Sequence, residues 1–212
     1  MNIRDEMDRI YRDKPLDDIP WVRHDPPEIL VKLVESGAIA PCVTADLGCG
    51  AGSDAVWLAG KAFEVTGYDC SGEAVQHAEA LAAERGVACR FEVADLSRTL
   101  NLPEPKFDFV YHWALLHHIF PECRAAFAGS TAQMLKPGGI QLCMCFSEKD
   151  TGFDGEGKYR VTPLGTTLYF SSEQEIQELF EPGFRILDLY TTEIPGRHTP
   201  HKAVVARMEK AR

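Results

Sequence analysis

No apolar run in this chain approaches the roughly 18 to 20 residues needed to cross a bilayer, and the opening MNIRDEMDRIYRDK carries acids in place of an apolar signal segment. A cytoplasmic protein without a membrane partner is expected. Basic residues are in deficit, 22 Lys and Arg against 32 Asp and Glu for a formal charge of -10. No basic stripe is visible, so nucleic acid is excluded as the expected partner and a small molecule is favoured. The seven cysteines are odd in number and scattered. Neither CxxC nor HExxH spacing occurs, so no disulfide framework and no metal site are expected; the cysteines read as small buried or half-buried hydrophobes, with Cys143 and Cys145 on one face of a strand. Repeats and low-complexity tracts are absent too.

What is present is one domain's worth of α/β alternation: 212 residues, 45% hydrophobic, enough for a single sizeable core. Residues 1–39 read as one or two helices that form a lid, ahead of a domain over 40–212. Strands are expected at Val43–Leu47, Phe63–Tyr68, Ala88–Val93, Phe107–His112 and Ile140–Phe146, separated by helices over Ser53–Ala59, Gly72–Arg85 and Pro121–Leu135. The first two helices stop at Gly60 and Gly86, residues suited to a left-handed cap, and LKPGG at Leu135–Gly139 closes the third. Ser172 and Glu175 have capping-box spacing ahead of Ile176, Leu179 and Phe180. Two further strands, Phe184–Tyr190 and Ala203–Met208, have no helix between them and should pair antiparallel. This pattern predicts an α/β fold, a doubly wound, Rossmann-like seven-stranded sheet, mostly parallel, with a terminal antiparallel hairpin.

In such sheets ligands sit beyond the carboxyl ends of the strands, where Asp46, Asp69, Asp95 and His112 fall. The decapeptide ADLGCGAGSD, Ala45–Asp54, turns a strand into a glycine-rich loop and then a helix. Glycine permits positive φ and close ligand approach. The helix start at Ser53 and Asp54 favours oxygen-rich ligands or an acidic cap. Asp69, closing VTGYD, is placed to accept hydrogen bonds from a ribose diol. A nicotinamide fingerprint would carry a glycine where Ser53 stands, which counts against that cofactor.

The ordered set DLGCGAG, VTGYDCS, EVADL, FDFVYHW and LKPGG resembles the class I S-adenosylmethionine-dependent methyltransferases over roughly residues 43–147. PWVRHDPPEIL, GSDAVWLAGKAFEVTGYDCS and SSEQEIQELFEPGFRILD are similar to the group of thiopurine, tellurite-resistance, thiol and halide methyltransferases, although Tyr111, His112 and Trp113 stand where many members carry an acid. The resemblance implies S-adenosylmethionine as cofactor, with S-adenosylhomocysteine as product. Asp46, Gly48 and Gly50 would face its methionine end and Asp69 its ribose, with Cys70, Asp95 and Leu96 at the adenine and His112 near the sulfonium. It implies in-line methyl transfer to a small acceptor, a thiol or other soft nucleophile first; O- or N-methylation of a small metabolite and a non-catalytic binding protein are the alternatives. A monomer or weak homodimer is expected.

Methyl transfer from a sulfonium depends on alignment and a dry site. A thiol, about a few per cent ionised at neutral pH, can react without a dedicated base. If a base is used, His117 and His118 in ALLHHIFPE are the candidates, because they follow the fourth strand and imidazole titrates in the useful range. Tyr11, Trp21, Trp113, Arg160 and Tyr169 are candidate acceptor contacts, the last two from the long 148–171 connection.

Overall fold

A computed structural model describes residues 3–97, 106–153, 156–197 and 199–211. Helices α1 (Ile3–Asp13) and α2 (Glu28–Glu35) precede the alternation β1 (Val43–Leu47), α3 (Ser53–Gly60), β2 (Glu64–Asp69), α4 (Gly72–Arg85), β3 (Cys89–Val93), β4 (Phe107–Trp113), α5 (Pro121–Met134) and β5 (Leu135–Phe146). A small hairpin, β6 (Tyr159–Val161) and β7 (Thr167–Tyr169), leads to α6 (Glu173–Phe180), β8 (Phe184–Ile194) and β9 (His201–Lys210). The main sheet has the order β3-β2-β1-β4-β5-β9-β8, and the doubly wound α/β expectation is met. Among the described residues no helix is long and apolar enough to cross a membrane. Chain contacts divide the molecule into two compact units, Met1–Leu96 with Phe107–Phe109, and Ser97–Lys106 with Val110–Arg212.

In the first unit β2 runs parallel to both β1, from Val43↔Glu64 to Leu47↔Tyr68, and β3, from Val65↔Cys89 to Asp69↔Val93. Helix α4 begins where Ser71 Oγ accepts the Ala74 amide at 3.1 Å, satisfying one of the unpaired donors of the first turn. The same hydroxyl donates to Asp8 Oδ1 at 2.7 Å, and Arg12 reaches Glu73 at 3.1 Å, so α1 is anchored on the start of α4. The left-handed glycine stop holds at Gly86 (φ 66°). At Gly60 it does not: that residue is the last of α3, and the left-handed position is Ala62 (φ 67°). Ala62 N donates to Ala59 O and Phe63 N to Leu58 O, the paired bonds that let a chain leave a helix directly into a strand.

In the second unit β9 lies antiparallel between β5, from Ile140↔Glu209 to Phe146↔Ala203, and β8, as expected for strands joined without a helix. Strand β5 starts at Leu135, so LKPGG is extended backbone; Gly138 alone is left-handed (φ 78°), and pairing with β9 begins at Ile140. The connection after β5 carries the β6–β7 hairpin, which the sequence pattern did not announce. Ser172 and Glu175 form the capping box, with Ser172 Oγ accepting Glu175 N at 3.1 Å and Glu175 Oε2 accepting Ser172 N at 2.9 Å. Ser172→Ala is expected to lower the unfolding free energy by about 1 kcal/mol, seen as a lower urea midpoint at unchanged slope.

Candidate active site

In the first unit the turn after β1 is pinned to its neighbour: Gly48 N and Cys49 N both donate to Tyr68 O, at 2.7 and 3.1 Å. Gly48 and Gly50 have φ of 70° and 53°. Asp69, the last residue of β2, accepts Gly50 N on Oδ2 and Ser71 N on Oδ1, both at 2.9 Å. One carboxylate therefore ties the glycine loop to the start of α4. The Cys70 side chain also hydrogen-bonds this carboxylate, whose two oxygens together offer about four acceptor positions and so retain capacity for a ligand hydroxyl. Burial pushes the Asp69 carboxyl up, and the two amides oppose that shift.

Asp46 is 2% exposed. Burial first, then the neighbouring Asp54, push its carboxyl well above the ordinary range, while Arg23 pulls the other way and the Ala55 amide donates to it. Its Oδ2 is buried with no hydrogen-bond partner among the described residues. Asp54 takes Arg23 Nη2 at 2.6 Å. The buried carboxyls of Asp46 and Asp54 thus lie near each other and near Arg23, and the Asp46 oxygen without a partner favours a ligand group that carries positive charge. Cys70 is half-buried, its thiol pushed up to about 12 by burial and Asp69. Leu96 is buried and Asp95 exposed.

Tyr11, expected at the acceptor, lies instead against the glycine loop. A Cβ on Gly50 would stand 2.6 Å from its hydroxyl oxygen. Trp21 Nε1 donates to that oxygen at 2.9 Å, leaving the tyrosine proton to donate elsewhere. Tyr11 and Trp21 are therefore brought together, as the sequence pairing anticipated, but at the loop that would receive the cofactor.

In the second unit His112 is fully buried, its ring edge-on to Phe127 of α5 at 5.2 Å and 6.4 Å from Phe180 of α6. Burial lowers its pKa to about 3, and Nε2 lies 3.3 Å from Gln141 Nε2. This corrects the sequence expectation: the imidazole is a core group between strand and helices, and only the His112 backbone remains for a cofactor. Trp113 is half-buried, stacked on Tyr111 with centroids 6.3 Å apart.

The two candidate bases follow β4. His117 is buried, stacked on Phe146 at 4.5 Å and 7°, and its Nδ1 accepts the Phe146 amide at 3.4 Å. That bond assigns the proton to Nε2. Burial, then His118, Arg124 and His201, hold His117 well below the ordinary imidazole range, and burial brings His118 to about 4. Both rings are neutral at pH 7. An imidazole this reluctant to charge is a poor general base, and His117 presents an N–H donor.

Arg160 does not face an anionic acceptor. It is buried, donating to the carbonyls of Glu148, Asp150, Gly152 and Gly157 and lying 4.1 Å over the Phe170 ring; it folds the connection. Tyr169 is likewise committed, its hydroxyl donating to Glu175 at 2.6 Å and its ring under Arg124 at 4.4 Å. Among the described residues no group of three or more His, Cys, Asp or Glu could hold a metal ion.

The fold is a doubly wound α/β sheet with a glycine-rich loop after its first strand. Residues 45–139 match the methyltransferase-domain family. The chain is 26% identical over 193 residues to the 2-heptyl-1-hydroxyquinolin-4(1H)-one methyltransferase of Mycobacteroides abscessus, spanning 89% of this chain and 80% of that one. It is 28% identical over 142 residues to thiocyanate methyltransferase 1 of Brassica oleracea, spanning 67% of this chain and 62% of that one. The solved 1,6-didemethyltoxoflavin-N1-methyltransferase of Burkholderia thailandensis, with S-adenosylhomocysteine bound, superposes with a TM-score of 0.76 at 20% identity, over 99% of this chain and 88% of that one.

The chain thus carries a match to a methyltransferase domain and is similar to S-adenosylmethionine-dependent methyltransferases. The residues present fit S-adenosylmethionine as a cofactor: the unpartnered Asp46 oxygen suits a cationic end, the Asp69 carboxylate suits hydroxyls, and Gly50 keeps side-chain bulk off the loop.

Proposed function

We propose that this methyltransferase acts on a small-molecule acceptor whose reacting atom is a thiol sulfur or a similarly soft nucleophile. The observation that carries the reading is the loop after β4, whose two imidazoles are held neutral by burial. A thiol supplies its own anion near neutral pH, so it asks little of such a loop. The thiocyanate methyltransferase relative supports the same acceptor chemistry.

In this reading Asp46 and the backbone of Gly48 and Gly50 hold the methionine end of the cofactor. Asp69 accepts its ribose hydroxyls, and Cys70, Asp95 and Leu96 border the adenine. Residues 1–39 act as the lid over the methyltransferase domain of residues 40–212, bringing Tyr11 and Trp21 to the loop. Bound S-adenosylmethionine supplies an electrophilic methyl group on a sulfonium. The protein's part is alignment and exclusion of water.

A second reading, O- or N-methylation of an aromatic metabolite, is favoured by the rings of Phe146, Phe153 and Phe170, which lie 5.4–6.0 Å from one another. Heteroaromatic compounds also stand in the names of two similar proteins. Purified protein with S-adenosylmethionine and a panel of thiols, halides, phenols and heterocyclic amines decides between them. Methylation of thiols well above the rest is expected; turnover confined to phenols or ring nitrogens would replace the first reading by the second. His118→Ala should leave thiol turnover at saturating cofactor within about threefold across pH, as expected of an imidazole that burial holds at about 4.

A further inference from the structure

We propose that Asp150 and His201 form a proton-accepting pair for an aromatic acceptor, with His201 Nε2 removing the proton of a ring-borne O–H or S–H and Asp150 fixing the imidazole. The inference rests on the small-molecule methyltransferase reading and names the class of acceptor and the base.

The geometry is specific. Asp150 is buried and fully engaged: Oδ2 accepts Lys202 N at 2.5 Å, and Oδ1 accepts Gly152 N at 2.7 Å and lies 3.3 Å from His201 Nδ1. A carboxylate only accepts, so the proton of the neutral imidazole sits on Nδ1 and Nε2 keeps its lone pair. The arrangement is that of an imidazole base oriented by a carboxylate. His201 opens β9, which runs antiparallel to β5 with Phe146 opposite Ala203. The pair therefore stands just past the carboxyl end of β5, on the edge where doubly wound folds bind ligands.

Its surroundings are flat and aromatic. Phe153 lies parallel to the His201 ring at 5.0 Å and 1°, and Phe146 is 5.1 Å away on a tilt. Phe146 also stacks on His117 and Phe170. Phe153 has φ 63°, a conformation that a bulky residue adopts only where its surroundings impose it. Two glycines make room for the imidazole: a Cβ on Gly152 would come within 2.9 Å of His201 Cε1, and one on Gly196 within 2.6 Å of Cδ2. A planar acceptor packs among these rings face-on or edge-on. His201 Nε2 takes a proton and the His117 Nε2–H offers one, so an acceptor with a reacting X–H and a second, accepting heteroatom satisfies both.

The step balances. The X–H proton passes to Nε2, X bonds to the methyl carbon as that carbon's bond to the sulfonium breaks, the bonding pair leaves with sulfur, and the imidazolium returns its proton to water. Among the described residues the titratable and charged groups around His201 include Asp150, His117 and, through the Asp150 carbonyl, Arg160.

The test uses para-nitrophenol and para-nitrothiophenol with the full chain. His201→Asn retains a donor toward Asp150 and lacks Nε2. Without cofactor, at a pH below the phenol's own pKa, wild-type protein is expected to bind para-nitrophenol with the absorption band of its anion, and His201→Asn to bind the neutral form. With cofactor, His201→Asn should lower kcat for the phenol about 100-fold or more and remove the acid limb of its pH profile, while turnover of the already ionised thiophenol falls less than about threefold. A wild-type protein that binds neither probe, or binds the phenol without ionising it, overturns the proposal. So does a variant that folds like wild type and ionises the phenol equally. If the anion band appears in wild type but no acceptor is methylated, the acceptor reading fails and the pair stands.

Discussion

Gly50→Ala is expected to weaken S-adenosylmethionine binding about 100-fold, measured by calorimetry, and about a tenfold part of that loss should vanish in a Tyr11→Phe background. The backbone at Gly50 is left-handed (φ 53°), which costs an L-residue about 1–2 kcal/mol. The new Cβ would meet the Tyr11 hydroxyl at 2.6 Å but the ring carbon Cζ only at 3.8 Å, an ordinary contact. Tyr11 cannot step aside cheaply, because it is 3% exposed and its oxygen is held by Trp21. The clash therefore reaches the loop, including the Gly50 amide bond to Asp69, a charge-assisted bond worth about 1.5–3 kcal/mol. Removing the hydroxyl by Tyr11→Phe removes the clash and leaves the backbone cost, so the second Gly50→Ala measurement should show about a tenfold loss. Equal losses in the two backgrounds would mean that Tyr11 does not stand over the loop.

Some of this site was legible in the sequence because its parts are local. Asp46, the glycines and Asp69 sit on a strand, a tight turn and the next strand, each announced by residue type within a few positions. The capping box at Ser172 was visible for the same reason. His112 was misread because FDFVYHW alternates an aromatic face with one that carries Asp108, Val110 and His112, a pattern that reads as a polar side open to a ligand; the strand is buried along both faces, and the imidazole proved to face Phe127 and Phe180. Asp150 and His201 escaped notice because 51 positions separate them, and only the antiparallel register of β5 and β9 brings them together. The hairpin β6–β7 has strands of three residues each, too short for periodicity to register. Arg160 shows the same limit: a lone arginine in a long glycine-rich connection reads as an acceptor contact, whereas four carbonyls and the face of Phe170 bury it.

The buried His112 also sets an acid sensitivity that a single replacement should expose. Its pKa falls from 6.5 to about 3 through burial, so between those values the unfolded chain binds the proton and the folded one does not. Stability from this residue is therefore complete above about pH 6.5 and drains away as pH falls toward 3. At pH 5 the loss should be about 2 kcal/mol, at about 1.4 kcal/mol per unit. Asp46 and Asp69 act in the opposite sense: burial raises their carboxyls, so the folded state gains protons first and their cost shrinks on acidification. The raw pH profile mixes both effects, and His112→Leu separates them. At pH 7 the variant should be less stable by about 1 kcal/mol, having lost the contact with Gln141. At pH 5 it should be more stable than wild type by a similar margin, because the leucine has no proton to bind. Urea unfolding at the two pH values reads the difference directly. A gap that changes by less than about 0.5 kcal/mol between them would mean that the His112 ring reaches water, and would return it to the cofactor side of the strand where the sequence first placed it.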